Sequence, residues 1–163
     1  MGGIQPLLVS AHRPQQSGFT TGRSTVDDIL ALSELHREFD CPLHVAYLDI
    51  KAAFDSVDRI TLRKALRSKG IPDILIQLTV ALHQSTGARV RIGSRLSGRF
   101  QTTSGIRQGC ILAPTLFCVA IDWILEHMSI RPGINIGNSN ITDPVYADDT
   151  ALLLPSIGDA ASC

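Results

Sequence analysis

Three aspartates lie next to apolar segments of this chain, where an ionised carboxylate needs a partner. Asp49 stands near the end of one apolar run, and Asp148 and Asp149 stand between two further short apolar runs. Burying an unpaired carboxylate is costly, whereas pairing it or binding it to a metal ion offsets much of that cost. The placement of these three residues therefore indicates metal chemistry.

The three carboxylates could act together if the strand of Asp49 pairs beside a hairpin that carries Asp148 and Asp149. Like charges at one end of a sheet repel, and a hard divalent cation relieves that repulsion. Two such ions about 4 Å apart can activate a hydroxyl and stabilise a leaving phosphate. Turn chemistry explains Asp148 and Asp149 equally well, because Asp is common in turns. It does not explain a carboxylate within a strand, as at Asp49.

The elements that must position these aspartates follow from apolar spacing and from residues that begin or end helices. Ser24 and Asp27 have the spacing of a capping box, and Pro42 and Gly70 are expected to end helices. Helices and antiparallel strands without regular β-α-β alternation favour an α+β fold. The expected elements are a loop over 1–22, helices over 24–39, 62–68 and 72–84, a strand over 43–50, a hairpin over 88–103, a buried helix over 113–128, and strands over 144–147 and 151–154.

The composition indicates a folded protein of one domain. The chain has 163 residues, of which 44% are hydrophobic and 18% are charged. Fifteen basic and fifteen acidic residues give a formal net charge of zero, which argues against a strongly basic coating protein. No apolar run has the length of a membrane span, and no leader or targeting signal is visible. The four cysteines lack metal-site spacing, so we expect a reduced intracellular protein, nuclear or cytoplasmic.

Basic residues form two clusters. Arg59, Arg63 and Arg67 recur every four residues along one expected helix, and four further arginines lie in the segment 88–103. Such clusters can follow a nucleic-acid backbone without reading its sequence. An ordinary solvated surface explains them equally well.

Four segments, in a fixed order, resemble the reverse transcriptases. Residues 146–149 (YADD) resemble the Y-x-D-D box, and residues 49–55 (DIKAAFD) resemble the first palm motif. Residues 105–114 (GIRQGCILAP) are similar to the loop and helix between them, and residues 16–25 (QSGFTTGRST) to a fingers segment. The residues of these segments resemble those of the reverse transcriptases of non-LTR (LINE-type) retrotransposons. Group II intron maturases and telomerase-like enzymes share the Y-x-D-D chemistry but resemble these segments less.

The resemblance implies a right-hand polymerase palm with partial fingers, in which an antiparallel sheet packs on helices. Asp49 and Asp148 would be the metal ligands, with help from the backbone carbonyl of Ile50. Asp149 would be the neighbouring catalytic carboxylate. The implied cofactor is a pair of Mg²⁺ ions, for which Mn²⁺ could substitute.

The resemblance also implies how the substrates are held. Phe54 would be the steric gate that excludes a ribose 2′-hydroxyl, although an ordinary core aromatic is the alternative. The other residues expected to hold the deoxynucleoside triphosphate are Lys51, Ala52, Ala53, Gln108 and Gly109. The residues expected to contact the RNA template and DNA primer are Arg23, Arg107, Arg63 and Arg67. For Arg23 a solvated arginine before a helix is the alternative.

The expected function is that of a fragment of an RNA-directed DNA polymerase. We expect a partial fingers or loop segment over 1–22, a fingers and palm core over 23–155 and a truncated tail over 156–163. The lysine of the following palm segment, the primer grip and the thumb are not seen in the sequence. The alternative is an inactive retroelement remnant that binds nucleic acid or a partner weakly at most.

Overall fold

Six helices and nine short strands form within residues 4–38, 44–128, 133–136 and 139–154, which the computed structural model describes. The mixture confirms the α+β class. The helices are α1 (Ile4–Ser10), α2 (Thr25–Glu38), α3 (Ala53–Ser56), α4 (Arg59–Ser68), α5 (Asp73–His83) and α6 (Ala113–Glu126). The strands are β1 (His44–Leu48), β2 (Gly87–Ala88), β3 (Arg91–Ile92), β4 (Arg95–Leu96), β5 (Phe100–Gln101), β6 (Ile134–Ile136), β7 (Ser139–Ile141), β8 (Val145–Tyr146) and β9 (Asp149–Leu154).

The central sheet has the strand order β1-β9-β8 and is antiparallel throughout. In its register, Leu48 of β1 pairs with Thr150 of β9, and Tyr146 of β8 pairs with Asp149. Gln16 adds a parallel bridge to β8 on the free side of that strand. The sheet therefore joins an N-terminal segment, the strand before Asp49 and the hairpin at the other end of the chain.

The core is centred on α6, as its apolar sequence predicts. Leu116, Phe117, Cys118 and Val119 have no exposed surface. A helix that is apolar on nearly every face must be covered on every side. α1 and α4 both pack against it, and the turn residue Ala147 belongs to the same buried cluster. The turn at the end of the hairpin thus rests on the core.

The expectation of a loop over residues 1–22 is wrong for residues 4–10, which form α1. Leu8 is fully buried and α1 packs on α6. A helix of seven residues gains little from its own hydrogen bonds, so tertiary contact stabilises it. The local spacing of apolar residues does not predict such a helix.

Most other elements lie where the sequence places them. The Ser24 amide donates to Asp27 Oδ2 at 2.8 Å, which is half of the expected capping box at the start of α2. The hairpin over 88–103 is confirmed as two ladders around Gly93. β6 and β7 form a hairpin that the sequence analysis did not predict. The predictions at Pro42 and over 156–163 fall outside the described residues, as do the predicted ends at 39 and 43.

Among the described residues, none of the helices is both long enough and apolar enough to cross a membrane.

Candidate active site

The hairpin between β8 and β9 ends in a turn of two residues, Ala147 and Asp148, closed by the pair Tyr146 and Asp149. Ala147 is buried and has a φ of 58°, in the left-handed region that hairpin turns use. Asp148 therefore lies at the tip of the hairpin, and Asp149 is the first residue of β9. The two neighbouring carboxylates are presented at one end of the sheet.

Asp49 lies at the same end of the sheet. It directly follows β1, and the register that pairs Leu48 with Thr150 brings it level with Asp149. Both carboxylate residues line a cavity of about 340 Å³ that the start of α2 also borders, through Thr25. The condition set from the sequence, that the strand of Asp49 pairs beside the hairpin, is met.

The carboxylates approach one another without forming a closed metal cage. Within the described segments, no three His, Cys, Asp or Glu side chains are close enough to hold a metal ion. Asp49 and Asp149 are exposed, and Asp148 is half-buried. The expectation that Asp49 lies within a buried strand is therefore wrong, because β1 ends at Leu48 and water can solvate this carboxylate. Carboxylate oxygens are nevertheless the ligands that Mg²⁺ takes in proteins, so the chemistry of the donor set fits that ion.

The buried thiol of Cys118 on α6 donates to the carbonyl of Gly18 at 3.6 Å, and Gly18 lies against the backbone of Ala147 in the turn. Burial raises the pKa of Cys118 to about 12, and the negative charges of Asp122 and, less strongly, Asp148 add to the effect. Cys118 is therefore a protonated core residue under the hairpin turn. It has none of the features of a reactive cysteine.

Residues 49–55, which resemble the first palm motif, lead into the short helix α3. Ile50 and Phe54 are half-buried against the core, whereas Lys51 and Ala52 are exposed. The ring of Phe54 stacks on Phe117 of α6, with 4.4 Å between ring centroids and 15° between planes. Ala53 is buried, and Ala52 has a left-handed φ of 51°. One side of the Phe54 ring is thus fixed by the core.

The loop before α6 is docked on this same motif. The amide of Ile106 donates to the carbonyl of Phe54 at 2.9 Å. Gln108 Nε2 donates to Asp55 Oδ1 at 3.2 Å. Gly105 has a φ of +80°, and a Cβ there would lie 2.9 Å from Asp55 Cα, so only glycine fits. The structure therefore brings Gln108 beside Asp55, the residue after the predicted gate residue, with Gly109 exposed next to it.

The predicted nucleic-acid contacts lie in several places. Arg23 is exposed two residues before α2 begins, and Arg63 is half-buried on α4. Arg67 forms an ion pair with Asp73 at 3.3 Å in which both side chains are largely exposed. Arg107 borders a cavity of about 440 Å³, together with Gln108, Asp55 and Arg99.

Arg59 is half-buried, and its guanidinium is bonded to other segments of the chain, so it is not part of a freely solvated basic face. Its guanidinium donates to five groups on other segments of the chain. A guanidinium has five donors in a fixed fork, so it can join several chain segments at once. The acceptors are the carbonyls of His83, Thr102, Ser104 and Gly105 and the hydroxyl of Thr86.

Two further polar contacts near the turn were not foreseen from the sequence. Gln16 is buried, and its Oε1 accepts hydrogen bonds from the amides of Gly18 at 2.9 Å and Ala147 at 3.1 Å. Arg13 forms a bidentate ion pair with buried Asp143 at 2.6 and 2.7 Å. The only signal for Gln16 is its place in the segment 16–25, which does not distinguish a buried amide from an exposed one.

Arg13 also connects this region to α6. Its backbone amide donates to Asp122 Oδ2 at 2.9 Å. Burial raises the pKa of Asp122 to about 6, against the opposing effect of the hydrogen bond and charge of Arg13. Burial also favours the neutral form of the neighbouring His12, because it lowers the pKa of that imidazole. A carboxylate within the apolar sequence of α6 is the signal that could have identified this site.

Comparison with known proteins identifies relatives over most of the chain. A family model described as reverse transcriptase (RNA-dependent DNA polymerase) matches residues 3–163. The chain is 32% identical over 111 residues to a retrovirus-related Pol polyprotein from type-1 retrotransposable element R2 of Nasonia vitripennis, an alignment covering 68% of this chain and 11% of that protein. It is 31% identical over 147 residues to the corresponding Pol polyprotein of Popillia japonica, over 86% of this chain and 20% of that protein.

A third relative is the retrovirus-related Pol polyprotein from type-2 retrotransposable element R2DM of Drosophila melanogaster. It is 28% identical over 144 residues, or 85% of this chain and 13% of that protein. The chain thus spans between 11% and 20% of the length of these three relatives. The resemblance to retrotransposon enzymes is confirmed, and the chain belongs to the reverse transcriptase (RNA-dependent DNA polymerase) family.

Proposed function

We propose that this chain carries the nucleotide-transfer chemistry of an RNA-directed DNA polymerase, which adds deoxynucleotides to the 3′-hydroxyl of a primer paired with an RNA template. The observation that carries the proposal is the placement of Asp49 and Asp149 on one cavity at the end of the central sheet, beside the turn that holds Asp148. Membership of the reverse transcriptase family supports the same chemistry.

In this proposal the central sheet with α4 and α6 is the palm. α2 belongs to the fingers part of the core over 23–155, and residues 1–22 form a separate partial fingers or loop segment. The division at residue 22 is retained as part of the proposal, since residues 15–18 lie along β8 while α2 begins at Thr25. The tail over 156–163 lies outside the described residues.

Asp49 and Asp148 are the proposed ligands of two Mg²⁺ ions, with the backbone carbonyl of Ile50 as a further oxygen ligand. Asp149 is the adjacent carboxylate that adds negative charge to the site. When bound, such ions favour ionisation of the primer hydroxyl and neutralise charge on the phosphates, and Mn²⁺ can serve in the same way. The work of the chain is to hold these oxygens at the end of a rigid sheet.

Phe54 is proposed to select deoxynucleotides. Its ring cannot swing freely, because one face is stacked on Phe117 of the core. A fixed ring beside the sugar leaves no room for a 2′-hydroxyl. The backbone amides of Lys51, Ala52 and Ala53 are proposed to face the triphosphate, and Gln108 with Gly109 to support the base pair.

The template and primer are proposed to contact Arg23, Arg63, Arg67 and Arg107. Arg107 has the strongest support, because it borders the same cavity as Gln108 and Asp55. Contacts of this kind bind phosphate and position the duplex without reading its sequence.

Primer extension tests the proposal directly. The 163-residue chain and its Asp148→Asn and Asp49→Asn variants are given a poly(rA)–oligo(dT) substrate with Mg²⁺, with Glu34→Gln on the exposed face of α2 as the matched control. We expect extension by the wild type and by Glu34→Gln, and none by either aspartate variant. Extension that persists in Asp148→Asn would refute the metal-ligand assignment. No extension by wild-type protein with a folded circular dichroism spectrum would favour an inactive remnant.

A further inference from the structure

The turn that carries Asp148 is held by a side chain from the other end of the chain. Gln16 has 2% of its surface exposed, and its Oε1 accepts the amide of Ala147 at 3.1 Å across a separation of 131 residues. A buried backbone amide must find an acceptor. At Ala147 the hairpin itself does not provide one, and Gln16 does.

Residues 13–18, here called the strap, are fixed along β8 in a way that sets the position of Gln16. The amide of Ser17 donates to the carbonyl of Val145 at 2.8 Å, and the amide of Val145 donates to the carbonyl of Gln15 at 3.2 Å. Arg13 anchors the start of the strap through its bidentate ion pair with Asp143. Both flanks of Gln16 are therefore tied to the residues that lead into the turn.

Gly18 allows the strap to approach the turn closely. A Cβ at this position would lie 2.2 Å from the amide nitrogen of Ala147, closer than any side chain allows. The amide of Gly18 shares the same Gln16 oxygen, at 2.9 Å. The single carboxamide oxygen thus joins the strap and the hairpin turn.

The turn needs such support because its own geometry is unfavourable. Ala147 is a non-glycine residue with a φ of 58°, which costs about 1 kcal/mol. It is followed by two adjacent carboxylates that repel each other when ionised. The supporting acceptor is neutral, and a carboxylate in its place would add a third negative charge next to Asp148.

We propose that Gln16 is a positioning residue of the active site: its neutral carboxamide oxygen fixes the turn at Ala147 and thereby orients the carboxylates of Asp148 and Asp149. The functional part of this inference rests on the proposed role of those two aspartates. The structural part, that Gln16 fixes the turn, stands on the hydrogen bond to Ala147.

Amide hydrogen exchange measured by NMR tests the structural part in the 163-residue chain without any activity. Gln16→Met has nearly the same volume and no strong acceptor, Gln16→Glu keeps an acceptor oxygen, and Gln77→Met on the exposed face of α5 is the control. We expect exchange at Ala147 to rise at least about tenfold in Gln16→Met, which corresponds to about 1.4 kcal/mol. Exchange in β1 and β9 should not change.

Gln16→Glu should keep Ala147 protected, and Gln77→Met should match the wild type. An unchanged rate at Ala147 in Gln16→Met would overturn the inference, as would an equal rise throughout the sheet, which would mean that Gln16 serves general stability alone. If Gln16→Met does not fold, Gln16→Asn withdraws the oxygen by one methylene and is expected to show the same local rise.

Mn²⁺ binding, followed by electron paramagnetic resonance, separates this inference from the proposed function. We expect Gln16→Met to bind Mn²⁺ at least about tenfold more weakly than the wild type, since the carboxylates lose their common orientation. Equal binding by the two proteins would overturn the orienting role of Gln16. Failure of the wild type itself to bind Mn²⁺ would count against the proposed metal site, while the exchange result at Ala147 still decides whether Gln16 fixes the turn.

Discussion

At the scale of single residues, Phe54 is packed on one side and partly exposed to solvent. One face of its ring is stacked on Phe117, and the residue keeps some exposed surface. Phe54 can therefore be both a core aromatic and the proposed steric gate, because packing on one side holds the ring rigid for contact on the other side.

Replacing Phe54 separates these two roles. We expect Phe54→Ala to reduce discrimination against ribonucleotides by at least about tenfold, because the wall beside the sugar is removed. The same change should lower the free energy of unfolding by about 3 kcal/mol through lost packing. Single-nucleotide extension with dNTP and rNTP, at a temperature where the variant is folded, measures the first effect. Phe54→Tyr is the matched control, and discrimination that stays unchanged in Phe54→Ala would contradict the gate.

Asp122 gives a prediction for the pH dependence of stability. Its pKa is raised to about 6 from the ordinary 3.8, chiefly by burial. Between these two values the folded protein retains a proton that the unfolded chain releases, so this residue lowers stability as the pH rises. We expect Asp122→Asn to remove that dependence. As the pH rises from 4.5 to 7.5, the free energy of unfolding of the variant should therefore increase by about 2 kcal/mol relative to that of the wild type.

Urea unfolding at the two pH values measures this difference. Asp73→Asn, an exposed carboxylate on α5, is the control and should follow the wild type. An Asp122→Asn curve that runs parallel to the wild type would mean that the buried carboxylate is ionised throughout the range.

Asp49 and Asp122 show what residue types alone can reveal. Both are carboxylates that adjoin apolar sequence. Asp49 directly follows β1 at the end of the central sheet, and Asp122 is fully buried in α6. Asp49 could be recognised because it stands near the end of an apolar run predicted to be a strand, and the family motif around it then supports the same conclusion. Asp122 was not recognised from the sequence, because the hydrogen-bond partner Arg13 lies 109 residues earlier and no local pattern joins the two.

At the scale of elements, the close approach of the strap to the hairpin makes glycine necessary at position 18. We expect Gly18→Ala to lower the free energy of unfolding by about 2 kcal/mol or more, because the added methyl group overlaps the backbone of Ala147. Gly98→Ala is the matched control, since a Cβ at Gly98 meets no neighbouring atom, and its effect should stay within about 0.5 kcal/mol. Similar stabilities for the two variants, measured by thermal or urea unfolding, would contradict the close approach.

The predictability of each element depended on whether its signal is local. α6 could be predicted because its sequence is apolar on nearly every face. The end of α4 could be predicted because a glycine, Gly70, follows it, and the structure gives that glycine a left-handed φ of 72°. α1 could not be predicted, since contact with α6 stabilises it. The register that brings Asp49 level with Asp149 is likewise a long-range property that no local spacing encodes.

At the scale of the whole molecule, the formal charge is zero, so any attraction to nucleic acid must come from local clusters. The arginines divide into two groups that sequence spacing could not distinguish. Arg59 and Arg107 line the same cavity, but Arg59 directs its donors to four carbonyls and a hydroxyl of the chain itself, whereas the side chain of Arg107 is exposed at the border of the cavity. The whole-molecule prediction is therefore that these two arginines affect different measurable quantities.

We expect Arg107→Gln to weaken binding to an RNA–DNA hybrid and to reduce the slope of log K against log salt by about one, because one phosphate contact is lost. Its free energy of unfolding should stay within about 0.5 kcal/mol of wild type. Arg59→Gln should instead lower the free energy of unfolding by about 2 kcal/mol, since four carbonyls and a hydroxyl lose a charged donor, and leave the salt slope unchanged. Fluorescence anisotropy at several salt concentrations, paired with urea unfolding, measures both quantities. An unchanged salt slope in Arg107→Gln would place the phosphate contacts elsewhere on the molecule.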